Sequence, residues 1–375
     1  DSVYVDAVDM KFKNVQIKGI EDVRVKNTGR QLFLYSSFKK DSSYQMQFNY
    51  EAHPKQALYF LKRNNDWNIW TQGQGKYTSR WLPSFDDVNE KVVFNFSTTF
   101  EKGYEVLLNG QRLMQKEDED VNSAVYVSSE PISSYLVALT IGKYDHQTVY
   151  AESGIPLELY YYPEDSLKYE PTYRYTKEIF DFFEQELEYP YPWKVYKQVP
   201  VHDFLYAGME NTSLTIFSDA FVVDSIGYND KNYINVNAHE LAHQWFGDLV
   251  TAKSGEHHWL QEGFATYYAL LAEKQLFGED HYFFELYQTA QQLGRQDDAG
   301  DGTSLLDPKS SSLTFYQRGA WVLHALRSQI GNAAFRRAVN TYLNTYEFSS
   351  AETDDFIKIV EAQTGENLSD FKELW

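Results

Sequence analysis

The sequence predicts an α+β protein, with an antiparallel β domain first and a mainly helical domain after it. Two observations carry this. Nine of the ten prolines lie at or before Pro200, and only Pro308 follows. Helix interiors exclude proline, so the second half is free to be helical. The first part instead alternates apolar and polar residues with the period of a strand.

The strand runs are short. They fall at 3–5, 15–17, 32–35, 92–96 and 125–127, and Gly, Asn and Asp clusters separate them. A seam lies near Gly142 to Gly154, so the expected division is 1–146 and 147–375. A strand at 157–162 follows. Residues 166–187 then read as an amphipathic helix with Ile179, Phe182 and Phe183 on one side. Tyr189-Pro190-Tyr191-Pro192 ends it. Further helices are expected at 230–248, 259–277, 279–294, 315–330, 332–345 and 351–363.

Composition excludes several classes. The chain has no cysteine, which removes disulfides, thiolate zinc sites, iron–sulfur clusters and a Cys nucleophile. The compartment stays open, because a core of this size stands without disulfides in oxidising or reducing surroundings. Lys plus Arg number 34 against 54 Asp plus Glu, a net charge of −20. Such a chain repels phosphate backbones and anionic membrane surfaces, so no nucleic-acid partner is expected. No run of about 18 apolar residues exists, so no membrane span is expected. The aromatics, 30 Tyr, 25 Phe and 8 Trp, read chiefly as core and half-buried strand faces. A carbohydrate-stacking surface is the other reading.

The sharpest local signal is His239-Glu240-Leu241-Ala242-His243. Residues four apart share one face of a helix, so both imidazoles can point at one ion. Glu240 lies beside that face, placed to take a proton from an attacking water. Catalytic zinc usually has three protein ligands, and two His plus one Glu is a known set. Glu262 follows on the first turn of the next expected helix, after eighteen intervening residues. Taken alone, Glu262 also fits a solvated carboxylate at a helix start.

The stretch Asn237-Ala-His-Glu-Leu-Ala-His-Gln-Trp-Phe-Gly-Asp-Leu-Val-Thr251, then Trp259-Leu-Gln-Glu-Gly-Phe-Ala-Thr-Tyr267, resembles the zinc aminopeptidases of the gluzincin group. These include aminopeptidase N and the bifunctional leukotriene hydrolase/aminopeptidase. The resemblance implies a thermolysin-like catalytic domain and one zinc ion held by His239, His243 and Glu262, with Glu240 as general base. Asp248 and Gln261 stand where Asn is usual.

An exopeptidase must also read the free α-ammonium of its substrate. Ala207-Gly208-Met209-Glu210-Asn211 lies about thirty residues before the zinc motif. It resembles the family's Gly-x-Met-Glu-Asn segment, with Ala207 in place of the first glycine. The resemblance implies that Glu210 binds the α-amine and that the backbone at Ala207, Gly208 and Met209 runs along an extended substrate. An ordinary loop with a surface glutamate is the plain alternative. Gln74, in Gln72-Gly73-Gln74, matches a second amine reader; a polar turn residue is its plain reading. It precedes Arg80 and Pro83-Ser-Phe-Asp86, where the family usually spaces Arg and Pro by one residue more. Tyr316-Gln-Arg-Gly319 resembles the segment whose tyrosine donates to the oxyanion, which makes Tyr316 the expected donor. Tyr206 is a candidate wall of the side-chain pocket or plain packing.

The expected reaction is hydrolysis of the N-terminal residue from peptides with a free N-terminus. The alternative is a thermolysin-like zinc endopeptidase, which shares the triad and has no use for Glu210. A non-catalytic peptide-binding scaffold is a third reading, and it would tolerate loss of residues that are all present here. Family members usually carry more β structure before the position of Asp1 and a helical domain beyond that of Trp375. The chain is therefore expected to be a central piece or a short form.

Overall fold

The structure is a computed structural model and describes all 375 residues. The first part is built from short antiparallel strands in several small sheets. Ser2–Asp6, Gln31–Tyr35 and Arg24–Asn27 form one. Lys11–Ile17 pairs with Met46–Glu51. Gln111–Glu117, Val121–Val127 and Asn95–Glu101 form another. The sheet nearest the site runs Leu58–Arg63, Asp66–Thr71, Leu139–Gly142, Glu105–Leu108. Its first hairpin turns through Asn64 and Asn65, with φ of 52° and 69°. Two residues with positive φ between paired Arg63 and Asp66 give a tight turn that matches strand twist. This register delivers Gln72 to Gln74 just past the end of the second strand.

The second part opens with a five-stranded mixed sheet. Its spatial order is Asp145–Tyr150, Pro156–Tyr161, Tyr196–Val201, Leu214–Ser218, Gly208–Met209. Asp145–Tyr150 crosses residue 146 and pairs along its length with Pro156–Tyr161. The strand expected at 157–162 is the second of these, while Tyr196–Val201 and Leu214–Ser218 are strands that were not expected. Every residue of Tyr196–Val201 is buried. A strand buried on both faces shows no period-two alternation, so it leaves no strand signal.

Nine helices complete the chain: α1 (Tyr169–Tyr173), α2 (Thr176–Leu187), α3 (Ile234–Ala242), α4 (Trp259–Phe277), α5 (Glu279–Asp298), α6 (Gly319–Ile330), α7 (Asn332–Tyr346), α8 (Thr353–Thr364) and α9 (Ser369–Leu374). The single helix expected at 166–187 is interrupted. Arg174 leaves helical geometry (ψ 132°) and Tyr175 is left-handed (φ 70°). The Tyr173 hydroxyl holds that corner by donating to the Tyr160 carbonyl at 2.5 Å. The helix expected at 230–248 is shorter at both ends. Asn232 Oδ1 accepts from Ile234 N at 3.2 Å at its start. After Ala242 the chain turns toward the short strand Val250–Ala252. No helix is long and apolar enough to cross a membrane.

α4 is the hub. Nearly all of its residues from Trp259 to Ala272 are buried, and it packs on α3, α5 and α6. A polar or charged residue there is enclosed by construction, and Glu262 is one. The main core of 68 buried residues runs without a break from Trp70, Leu107 and Leu136 of the first part into the helices. The β part is therefore a fixed wall of the same body, and Gln74 has a defined place beside the helices.

Candidate metal centre and substrate cleft

α3 ends at the centre. His239 and His243 stand one turn apart, and their Nε2 atoms approach to 3.0 Å. Glu262 Oε2, from the first turn of α4, lies 3.4 Å from His239 Nε2 and 3.2 Å from His243 Nε2. His243 Nδ1 sits 2.8 Å from the Phe246 carbonyl. A carbonyl only accepts, so that nitrogen carries the proton and Nε2 presents a lone pair. Three acceptors thus converge on one point. Glu262 Oε2 is buried and has no hydrogen-bond donor. Such a cluster needs a positive charge at its centre.

The titration of these groups says the same. Burial alone would lower the His243 imidazole, yet the charges of Glu262 and Glu210 outweigh it and raise it well above its usual range. Burial alone would raise Glu262, yet His243 and His239 hold it well below the usual carboxylate range. Without a metal the site draws in a proton. Two neutral imidazoles and a carboxylate, each with a fixed outer partner or a buried position, fit one zinc ion by donor type and number.

A second triad overlaps the first. Glu210, Glu240 and His243 each bring one oxygen or nitrogen within 4.8 Å of the others. Glu240 points from α3 against the edge strand Gly208–Met209. A Cβ at Gly208 would fall 2.5 Å from Glu240 Oε1 and 2.6 Å from its Cδ. The carboxylate therefore rests on a bare backbone. Burial pushes Glu240 well above the usual carboxylate range, and neighbouring Glu210 adds to this. Glu210 is 3% exposed, and its Oε1 is buried without a partner. Burial raises its pKa too, against the pull of His243.

Tyr316 faces the same point. It lies in a single π-helical turn, Thr314–Arg318, that leads into α6. Such turns widen a helix locally and re-aim side chains. The Tyr316 ring stacks on His239 with centroids 5.4 Å apart and planes at 6°. Burial, with the charge of Glu262, pushes its phenol far up, so it keeps its proton as a donor.

These groups share a cleft of about 760 Å³ that also takes in Gln74, Tyr206, Ala207, Gly208 and Met209. Every site residue expected from the sequence is therefore in one cavity. Ala207 spends its carbonyl on Ser218 N at 3.0 Å, which fixes the edge strand. Tyr206 stands at the rim, 54% exposed. Arg80 lies outside the cleft lining.

Sequence reasoning missed four residues. His258 Nε2 lies 3.3 Å from Glu262 Oε1, one turn earlier on the same face; that spacing was a usable signal. Gln72 donates to Met209 Sδ at 3.2 Å and accepts from Gln74 N at 2.7 Å, so it ties together the segments that carry Gln74 and Met209. Gln261 bridges Tyr135 and Ala252 N. Gln244 joins α3 to the Glu210 loop. The three glutamines carry no spacing that distinguishes them from surface residues.

The model of the peptidase family M1 domain matches residues 172–375, and that of the peptidase M1 N-terminal domain matches residues 1–136. The chain belongs to peptidase family M1. The resemblance read from the zinc motif and the α+β expectation both agree with this M1 assignment. Probable aminopeptidase 1 of Sulfurisphaera tokodaii is 27% identical over 100% of this chain and 49% of its own length. Glutamyl aminopeptidase of Sus scrofa is 29% identical over 78% of this chain and 33% of its own length. This M1 chain thus spans half or less of the length of these relatives. The fold is also that of an M1 zinc metallopeptidase of Deinococcus radiodurans, with a TM-score of 0.84, 21% identity, and coverage of 100% of this chain and 85% of that one.

Proposed function

We propose that this chain is the catalytic part of a zinc aminopeptidase that removes the N-terminal residue from peptides with a free N-terminus. One observation carries the reading. Glu210 brings a buried carboxylate oxygen without a partner to within one residue's reach of the metal ligands. A substrate ammonium is the group that satisfies it. An endopeptidase has no use for a charge there.

His239, His243 and Glu262 hold the metal. A zinc ion bound there supplies a Lewis acid that polarises the scissile carbonyl and acidifies water. Glu210, with the Gln74 amide as a neutral acceptor, holds the α-ammonium and sets the scissile bond at the centre. The backbone at Ala207, Gly208 and Met209 lies along the substrate as an edge strand. Glu240 removes a proton from the attacking water as the new C–O bond forms. It delivers that proton to the leaving nitrogen as the C–N bond breaks. Tyr316 donates to the oxygen on which negative charge develops. A variant of the Deinococcus radiodurans protein is described as bound to a Tyr-Ser-Ala substrate, which suits a cleft of this kind.

The expected division at 146/147 falls inside the strand Asp145–Tyr150. We place the joint instead between Gly142 and Asp145, where one sheet ends and the next begins.

A panel of aminoacyl chromogenic substrates tests the function, each free and N-acetylated, with chelator and with added zinc. Free-amine substrates should be cut, chelator should stop the reaction, and zinc should restore it. Equal cleavage of acetylated substrates would establish the endopeptidase reading instead.

A further inference from the structure

We propose that Gln244 is a positioning residue for Glu210, locking the amine-reading loop to the end of the metal-binding helix. The inference rests on the amine-binding reading of Glu210 given above.

Gln244 is 0% exposed, in a stretch where Leu241, Ala242, Trp245 and Phe246 are buried too. An apolar residue of the same shape would fill that space without any polar group to satisfy. Yet each polar atom of the amide is used. Its Nε2 donates to the Glu210 carbonyl at 3.1 Å. Its Oε1 accepts from Ser213 N at 2.8 Å, and the Tyr191 hydroxyl lies 3.2 Å from it and 3.2 Å from the Val195 carbonyl. The amide therefore grips the loop at both ends, at Glu210 and at Ser213.

The loop needs gripping. Ser213 has φ of 59°, a left-handed backbone that L-residues with a Cβ avoid. From the opposite side, Ser213 Oγ accepts from Gly110 N at 2.7 Å. Asn109 Nδ2 donates to the Thr212 carbonyl at 2.7 Å. The β part thus presses the loop down, and Gln244 fastens it to α3. Gln244 is the residue after His243. One peptide unit separates the metal ligand from the side chain that holds Glu210. The distance between metal and amine reader is set by that unit.

The test is a double-mutant cycle of Gln244→Met with Glu210→Ala, read as KM and kcat on an aminoacyl anilide, with zinc content and melting curve. Gln244→Met should keep one zinc per chain and raise KM about tenfold, with a smaller change in kcat. In the Glu210→Ala background it should add little to KM. An equal rise in both backgrounds, or loss of zinc from a cooperatively melting Gln244→Met protein, would overturn the proposal. Gln244→Asn shortens the side chain by one methylene, so its amide no longer spans from Glu210 to Ser213, and it serves where Gln244→Met does not fold. Its KM should rise about threefold, and an unchanged KM overturns the proposal equally. Failure of the underlying reading looks different: Glu210→Ala alone would then leave the preference for free over acetylated amines intact.

Discussion

Gly263 of α4 and Gly319 of α6 meet backbone to backbone. A Cβ on Gly263 would fall 2.9 Å from Gly319 Cα, and one on Gly319 would fall 2.8 Å from Gly263 Cα. Gly263 follows Glu262, and Gly319 lies three residues after Tyr316. The close crossing is therefore what brings the proposed metal ligand Glu262 and the Tyr316 phenol to one point.

Gly319→Ala tests this. In an open helix the change would stabilise by up to about 1 kcal/mol. Here the new methyl meets main chain, which cannot rotate away, and overpacking costs about 1–3 kcal/mol. The net expectation is a loss of stability in urea unfolding. Displacement of Tyr316 by about 1 Å should lower kcat on the order of 10²-fold. A variant as stable and as active as the parent would show that the crossing is loose.

The zinc motif was legible because its chemistry demands a fixed spacing on one element. His239, Glu240 and His243 lie within one helical turn, so sequence alone aligns them. Glu210, Tyr316 and Gln74 were legible only by resemblance, since two loops and a π-helical turn far apart in the chain carry them and no local period links them. What stayed hidden follows from burial. Tyr196–Val201 is buried on both faces and shows no alternation. The break at Tyr175 interrupts an apolar stripe that continues on both sides of it. Gln244, 0% exposed, carries no sign of its burial in the sequence. Only its partners reveal its place.

Removal of metal should be visible without any substrate. His239, His243 and Glu262 bring three acceptors to one point with no internal donor for Glu262 Oε2. The unfolded chain does not hold them together, so a bound ion stabilises the fold by mass action. At an ion concentration about 1,000 times its Kd this amounts to about 4 kcal/mol. Chelator should lower the melting midpoint by several degrees, and zinc should restore it. Glu262→Ala should abolish the zinc response; a retained response would remove Glu262 from the ligand set.

Glu240→Gln separates metal binding from proton transfer. Glu240 is buried against the Gly208 backbone, so an isosteric amide fits where the carboxylate was. It removes the base and leaves all three proposed ligands in place. Turnover should fall about 10²- to 10⁴-fold, the usual contribution of a positioned base. Zinc content and the zinc-dependent melting shift should persist. Near-parent turnover with zinc bound would end the assignment of Glu240 as base.

The pH dependence of stability has an identifiable source away from the metal. Lys197 lies in the buried strand Tyr196–Val201 and is 1% exposed. Its Nζ donates to the Gly110 carbonyl and lies 5.4 Å from the centre of the Tyr126 ring. Burial lowers its pKa to about 8 from 10.5, against the pull of Glu158. The unfolded chain therefore binds more protons than the native one between about pH 8 and 10.5. Stability contributed by this group rises with pH across that window, by about 3 kcal/mol in all. Below it, the fold carries the full penalty of a buried ammonium. Lys197→Met removes that dependence. At any single pH the sign of the change is mixed, because the Gly110 carbonyl loses its donor, at about 1–3 kcal/mol. The slope is not mixed. Urea unfolding at pH 7 and pH 10 should show the parent gaining on Lys197→Met as pH rises. Lys91, also lowered to about 8 by burial, is common to both proteins and drops out of the difference. Parallel pH profiles would mean that Lys197 reaches water before it titrates.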